Sequence, residues 1–264
     1  MKFLKRNYYK QRSRNMKNKL VLMMLFALFA GTVFAQDSEE IIYGSQIWFA
    51  KQGLSDKMMK GMEEKTKKFN RGENATYPMY TFRYRTGPYT GGIQRVSART
   101  ASNLDAYNNR EERQYFRKYV VPYADMSRMV RTKLWTKQDD HSYNGSGSDE
   151  RLKFRLVISY KVKPGSYQWD GLRKRLVEAH EKSGSSARFS SFRLHSGDVT
   201  TFSLIIPFDS WKDYTSLEST VFNKNAYDSV HGEGSWEESL KLFTSIVKER
   251  EVHVREYLPE LSSE

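Results

Sequence analysis

The sequence predicts an α+β protein made of two consecutive β-α-β-β-α-β units, each with an antiparallel sheet. Three observations carry this expectation. Phe82-Arg83-Tyr84-Arg85-Thr86-Gly87 and Phe192-Arg193-Leu194-His195-Ser196-Gly197 share the pattern Phe-Arg-x-x-[Thr/Ser]-Gly at a spacing of 110 residues. The match runs on without a gap to Thr100 and Ser210, each at the start of an expected helix. Strand-like and helix-like periods then follow one another in the same order on either side of a Gly-, Ser- and Asn-rich stretch, His141 to Asp149.

In chain order, Ile41 to Ala50 (IIYGSQIWFA) is β-branched and aromatic and reads as a strand closed by Gly53. Leu54, Met58, Met62 and Phe69 recur near helical spacing among lysines and glutamates, which is an amphipathic helix whose Met stripe belongs to the core. Tyr77 to Thr86 is a strand in which Tyr80, Phe82 and Tyr84 alternate with Arg83 and Arg85. A turn at Gly87-Pro88 and Gly91-Gly92 leads into a strand over Ile93 to Arg99, a helix from Ala101 to Val120 and a strand from Met129 to Thr136. Beyond the expected linker, Leu152 to Tyr160 alternates as a strand with one apolar face. Trp169, Leu172, Leu176 and Ala179 share one side of a helix. Ala187 to Ser196 and Thr201 to Phe208 are strands, and Ser210-x-x-Asp213 is a capping-box start for the next helix. Asn223 to Gly234 reads as an irregular insertion, followed by a helix over Trp236 to Lys248 and a strand over Glu251 to Leu258.

The ends and the composition bound the function. The first 35 residues hold eight Lys or Arg and no acid, and they close on the apolar run Leu20 to Ala35. A basic segment, an apolar stretch and the small residues Val33 and Ala35 describe a cleaved secretory signal, cut before Gln36. Met16 opens a complete signal of its own, so either methionine suits as a start. The run falls short of the ~20 residues that a spanning helix needs, so no stable membrane insertion is expected after cleavage. The expected organisation is a signal at 1–35, one unit at 36–137, a flexible linker at 138–150 and a second unit at 151–264, in a periplasmic or secreted protein.

The whole chain carries 44 Lys and Arg against 31 Asp and Glu, a formal net charge of +13. Without the eight basic residues of the signal the balance is +5, which removes most of the case for a nucleic-acid partner. The chain has no cysteine, so disulfides and thiol chemistry are excluded and core burial must hold the fold.

The order β-α-β-β-α-β is the ferredoxin-like one. With Leu156 to Gly165, the Phe-Arg-x-x-[Thr/Ser]-Gly strand ends and Val252 to Leu258, it resembles the dimeric α/β-barrel families, which include antibiotic-biosynthesis-monooxygenase-like and NIPSNAP-like domains. The resemblance covers nearly the whole chain after residue 35. It implies two tandem ferredoxin-like domains with antiparallel sheets, packed as a pseudo-dimeric α/β barrel, either within a monomer or completed in a homodimer. It further implies small ligands, haem or protein partners. No catalytic signature of those families can be placed residue by residue.

Site candidates follow from strand periodicity. If the apolar alternates face the helices, then Arg83, Arg85, Arg193 and His195 face the other sheet, joined by Arg95 and Arg155 and, less securely, Arg255. Arginines converging between sheets suit a small anionic ligand, since guanidinium binds carboxylate and phosphate bidentately. Pairing with structural acids, or an open sheet face, is the plainer alternative. His195 offers an imidazole to haem iron or another metal, or it is a hydrogen-bonded surface residue. His180 ends a helix and suits its dipole. Asp139, Asp140 and His141, and His231 with Glu233, are weak metal sets. No motif fixes a catalytic residue. A cofactor-independent oxygenase-like or haem-degrading-like enzyme of the same fold, or an interaction module with a filled interior, stands beside the binding reading.

Overall fold

The computed structural model describes residues 39–144 and 152–263. The expected signal at 1–35 and the Gly/Ser part of the expected linker lie outside the described residues. The strands are β1 (Ile41–Trp48), β2 (Met79–Tyr84), β3 (Ile93–Thr100), β4 (Val130–Asn144), β5 (Phe154–Val162), β6 (Arg188–Leu194), β7 (Thr201–Phe208) and β8 (Val247–Tyr257). They close into one barrel in the order β1-β3-β2-β8-β5-β7-β6-β4, every neighbouring pair antiparallel. The runs β4-β1-β3-β2 and β8-β5-β7-β6 repeat one connectivity and meet at two seams, β2 with β8 and β6 with β4.

The helices pack outside. They are α1 (Ser55–Phe69), α2 (Ala101–Ala106), α3 (Arg110–Tyr119), α4 (Gln168–Ser183), α5 (Trp211–Val221), α6 (Lys224–His231) and α7 (Ser235–Ile246). Ser210 and Asp213 form the expected capping box at α5. Three expectations change. The helix expected over Ala101 to Val120 is two, because Asn109 caps a fresh start by accepting the Glu112 N–H at 2.9 Å. The insertion Asn223 to Gly234 contains α6, which Asn223 caps in the same way. Strand β4 runs to Asn144, into the stretch read as linker, because pairing of Tyr143 with Phe189 and Asn144 with Arg188 gives its backbone partners. No helix among the described residues is long and apolar enough to cross a membrane.

The repeated motif explains the seams. Past the end of β2, Arg85 N–H donates to Val254 O at 2.8 Å, and the Thr86 hydroxyl accepts the Val254 N–H at 2.8 Å. Past the end of β6, His195 N–H donates to Leu134 O at 2.8 Å, and the Ser196 hydroxyl accepts the Leu134 N–H at 2.7 Å. Each hydroxyl thus satisfies a backbone donor where strand pairing runs out. The glycine that follows has a left-handed backbone at both sites, φ +84° at Gly87 and +94° at Gly197.

Two apolar cores lie between helices and barrel. One gathers Leu156, Ile158, Trp169, Phe189, Leu204, Ile206 and Val254 on the β5–β8 side. The other gathers Trp48, Met58, Met62, Ile93, Val120 and Leu261 under α1 and α3. The second is bordered by a buried charged cluster. Lys65 pairs with Glu112 and donates to Asn70 Oδ1 at 2.6 Å, and the Tyr77 and Tyr107 hydroxyls both donate to Glu112. Arg95 donates to Thr66 Oγ1 at 2.6 Å, and Arg99 stacks 3.6 Å from the Tyr77 ring centre. The C-terminal turn Pro259–Leu261 closes over this layer, its Leu261 carbonyl accepting the Thr81 hydroxyl at 2.7 Å.

Two expected outcomes test these arrangements. A Cβ at Gly87 would stand 2.7 Å from the His253 Cβ, whereas at Gly197 nothing lies within 4 Å. Gly197→Ala should cost about 1–2 kcal/mol of left-handed strain alone, and Gly87→Ala clearly more, measured by urea unfolding. Equal costs would remove the close-approach argument. Burial, then the neighbouring Arg95, pulls the Lys65 pKa from 10.5 down to about 7. The unfolded chain therefore binds the extra proton, and stability rises with pH between about 7 and 9. The paired variant Lys65→Met/Glu112→Gln should flatten that rise in thermal melts across the range.

Candidate functional site

The barrel encloses a lumen of about 580 Å³. Its wall is aromatic: Tyr43, Tyr80, Phe82, Tyr84, Trp135 and Phe192 all border it. Tyr43 meets Phe192 edge to face with ring centres 5.3 Å apart, and the Trp135 indole N–H donates to Ser45 Oγ at 3.3 Å. In β2 the aromatic alternates Tyr80, Phe82 and Tyr84 point inward, and in β6 Phe192 and Leu194 do, while Phe189 lies outward in the helix-side core. Arg83 and Arg193 therefore fall on the outer side, the reverse of the sequence expectation. The physical reason is that this interior is itself an aromatic surface, so apolar character on these strands did not mark the helix side.

On β8 the inward alternates are Glu249, Glu251, His253 and Arg255. Side-chain exposure falls from 71% at Glu249 to 44% at Glu251 and 6% at His253, so this row leads from solvent to interior. Arg255, next along it, is buried. Its Nη1 donates to Gln94 Oε1, its guanidinium carbon sits 4.4 Å from the Phe82 ring centre, and its Nε has no partner. No carboxylate pairs with Arg255 among the described residues. Burial holds its pKa below the usual guanidinium range, with the Tyr84 hydroxyl pulling the other way. Burial also pushes the Tyr84 phenol well above its ordinary value. Across the strand pair, Arg155 is the register partner of Arg255 and borders the same lumen, its Nη1 donating to Leu152 O at 2.5 Å and Phe154 O at 2.8 Å.

Beside Arg255, the His253 Nδ1 lies 3.4 Å from Glu251 Oε1, an ion-pair distance rather than a close hydrogen bond. Its ring packs 4.8 Å from that of Tyr84, and its Nδ1 is buried without a hydrogen-bond partner among the described residues. Burial lowers the His253 pKa, while Glu251 draws it upward. The imidazole is thus held neutral in a lumen position, with a carboxylate behind it.

Of the six residues expected to converge, Arg155 reaches the lumen. Arg95 points to the helix layer and is spent on Thr66 and the Met62 carbonyl. Arg83 donates to the Met59 sulfur on the same outer side. Arg193 is exposed, 6.0 Å from the Phe202 ring centre. Arg85 is exposed and pairs with Glu256. His195 is exposed at a seam, its Nε2 sharing a 2.7 Å hydrogen bond with Thr136 Oγ1. Arg255, the less secure candidate, is the most enclosed cation of the lumen. His253, Glu251, Gln94 and Tyr84 were missed as a group. The signal for the first two was present, since Val252 and Val254 alternate with Glu251, His253 and Arg255.

The other histidines are structural. His180 is buried, with its Nε2 at 2.8 Å from Val221 O and its ring against Tyr143, so it is a core side chain rather than a dipole partner. His231 Nε2 bonds Arg175 O at 2.8 Å. No group of three or more His, Cys, Asp or Glu poised for a metal occurs among the described residues. The donor set does not fit haem either. His195 does not border the lumen and its Nε2 is engaged, while His253, the histidine of the lumen, stands between Glu251 and Arg255 on its strand.

Solved structures share this architecture. A candidate monooxygenase from Fusobacterium nucleatum superposes with a TM-score of 0.57 at 8% identity, over 84% of this chain and 94% of that one. A candidate monooxygenase from Lactobacillus acidophilus gives 0.52 at 11% identity, over 83% and 94%. Chlorite dismutase from Candidatus Nitrospira defluvii, in complex with imidazole, gives 0.52 at 10% identity, over 85% and 94%. No family model and no curated protein matches the sequence. At these identities the likeness establishes the fold, that of the dimeric α/β barrels.

Proposed function

We propose that this is an exported protein that binds a small aromatic carboxylate in its barrel lumen, and that its chain is a tandem pair of ferredoxin-like units closed on each other. The repeated strand connectivity and the two equivalent seam motifs support the tandem reading. The basic and apolar composition of residues 1–35 supports export.

One observation carries the binding reading: Arg255 is buried at the lumen wall with no carboxylate paired to it among the described residues. An uncompensated guanidinium is costly in a closed interior, and an anion arriving in the lumen supplies the missing charge. Arg155, its register partner on the neighbouring strand, borders the same lumen, and the rings of Tyr43, Tyr80, Phe82, Trp135 and Phe192 form the apolar part of the site. Titration with benzoate, followed by tryptophan fluorescence, tests the reading against neutral benzamide. Benzoate should bind more tightly than benzamide, and Arg255→Gln should erase the difference with a loss of about tenfold or more. The same variant should melt no lower than the wild type, since a desolvated charge has been removed. An unchanged benzoate affinity in Arg255→Gln would sink the proposal.

A second reading makes the protein an enzyme that acts on this ligand without a bound cofactor. His253, at the lumen wall with its pKa lowered by burial and Glu251 3.4 Å from its Nδ1, supports this, since an imidazole so placed suits a general base. The shared fold with proteins described as monooxygenases raises it by analogy alone. His253→Gln should then abolish turnover of a phenolic carboxylate, followed as oxygen uptake, and leave ligand affinity within about twofold. Turnover that survives the substitution would leave the protein a binder.

A further inference from the structure

The lumen has two unlike walls. Rings face it from β1, β2 and β4, among them Tyr43, Phe82 and Trp135. From β5 and β7 it is bordered by Ser159 and Ser203, which are register partners with their hydroxyl oxygens 2.9 Å apart. Ser203 is 6% exposed, so the pair is set into the wall rather than into bulk solvent. Two serine hydroxyls carry two protons, and the hydrogen bond between them uses one. The second proton has no acceptor among the described residues. A buried donor left in that state is costly, and both side chains border the space that a ligand fills.

Serines alone would not mark a site. The independent sign of a ligand in the same space is Arg255, buried at the lumen wall with an Nε that lacks a partner. Strand register fixes the separation of the two features. Ser159 is the register partner of Glu251, and Arg155 is that of Arg255. These rows lie four residues apart along β5, about 13 Å at the rise of a strand. Arg255 rests against Phe82, one inward position beyond its own register partner Tyr84, so its charge does not lean back toward the serines. A hydrogen bond of about 2.8 Å at each end leaves a ligand to span about 7 Å or more. One ring with a carboxylate and a para hydroxyl falls short of that, whereas a ring joined to its carboxylate through two carbons reaches across.

Resting on the carboxylate reading of the lumen, we propose that its ligand is a para-hydroxylated arylpropenoate or a close relative of that length, and that Ser159 and Ser203 determine this specificity. The carboxylate goes to Arg255, and the phenolic oxygen accepts the spare serine proton. The phenol proton goes to Glu251, which stands beside Ser159 in register and borders the lumen. A ring at that level lies beside Phe192, the register partner of Ser203 on β6. An acid of the same length without the hydroxyl leaves the serine donor unpaired, and that loss is how such a site discriminates.

The test is calorimetric titration of the purified protein with four acids: benzoate, 4-hydroxybenzoate, cinnamate and 4-hydroxycinnamate. The added hydroxyl should tighten binding about fivefold or more in the cinnamate pair and less than about twofold in the benzoate pair, where it stops short of the serines. Ser159→Ala/Ser203→Ala should bring 4-hydroxycinnamate down to the affinity of cinnamate. Arg255→Gln should weaken both cinnamates by a like factor, since it acts at the other end. A wild type that binds cinnamate without preferring the hydroxylated acid overturns the proposal. So does a preference that survives in the double-serine variant, or an equal gain in the benzoate pair. The four-acid comparison needs the wild type alone, so it decides the matter even where a variant fails to fold. Failure of both cinnamate and benzoate to bind overturns the carboxylate reading of the lumen and this proposal with it.

Discussion

Barrel closure is the constraint on which the rest of the molecule depends. A sheet of eight strands closed on itself has no edge, and each of its two seams joins strands far apart in sequence. The β2–β8 seam is short, three register pairs from Phe82 with Tyr257 to Tyr84 with Arg255. Beyond it the Thr86 hydroxyl takes over from strand pairing, as Ser196 does at the other seam. Without those two seams there is no enclosed space, and Arg255 and His253 would stand on an open sheet in water. The Phe-Arg-x-x-[Thr/Ser]-Gly repeat is therefore a closure device. Its arginines drew notice as ligand candidates, yet the positions that matter most are the hydroxyl and the glycine after it.

The two outer layers solve the packing problem differently. Under α1 and α3 the chain buries Lys65, Glu112 and Arg95 with full hydrogen bonding between them and their neighbours. Such a cluster adds little net stability over apolar packing, but it is unforgiving, since loss of one member strands the others. On the β5–β8 side the layer is apolar and aromatic, with Trp169 touching Tyr160, Phe202 and Phe243. With no cysteine in the chain, these layers and the seams carry the fold.

Much of this was legible in the sequence. Strand and helix order followed from periods of two and 3.6, and the capping box at Ser210 marked its helix to the residue. Facing was harder. In β5 and β7 the apolar alternates do lie outward against the helices, because their inward partners are Ser159, Ser203 and Arg155. In β2 both faces carry side chains that tolerate burial: Tyr80, Phe82 and Tyr84 inward, Met79 and Thr81 outward. Alternation alone could not choose between them, nor in β6, where Phe189 lies outward and Phe192 inward, and Arg83 and Arg193 were expected on the wrong side for that reason. Register across seams lies beyond any local pattern, so the meeting of Tyr84 with Arg255 and His253 had no signature in the sequence.

The charge order inside the lumen argues for the direction in which a ligand enters. At the solvent end, Lys161 is paired with Asp198 at 3.0 Å and with Glu249 at 3.7 Å, so its charge is answered twice over there. Further in, Glu251 is engaged with His253, and its carboxyl is held below the ordinary range by that contact. Deeper still, Arg255 is buried with no carboxylate paired to it among the described residues. Coulomb attraction is weakest where solvent screens it and strongest in the desolvated interior. An anion at the mouth thus meets little net attraction, and its gain comes at depth, where the guanidinium already lacks water. A ligand with one charged end and an aromatic body would pass its carboxylate inward first and leave its rings against Tyr43, Trp135 and Phe192, beside the His253 imidazole.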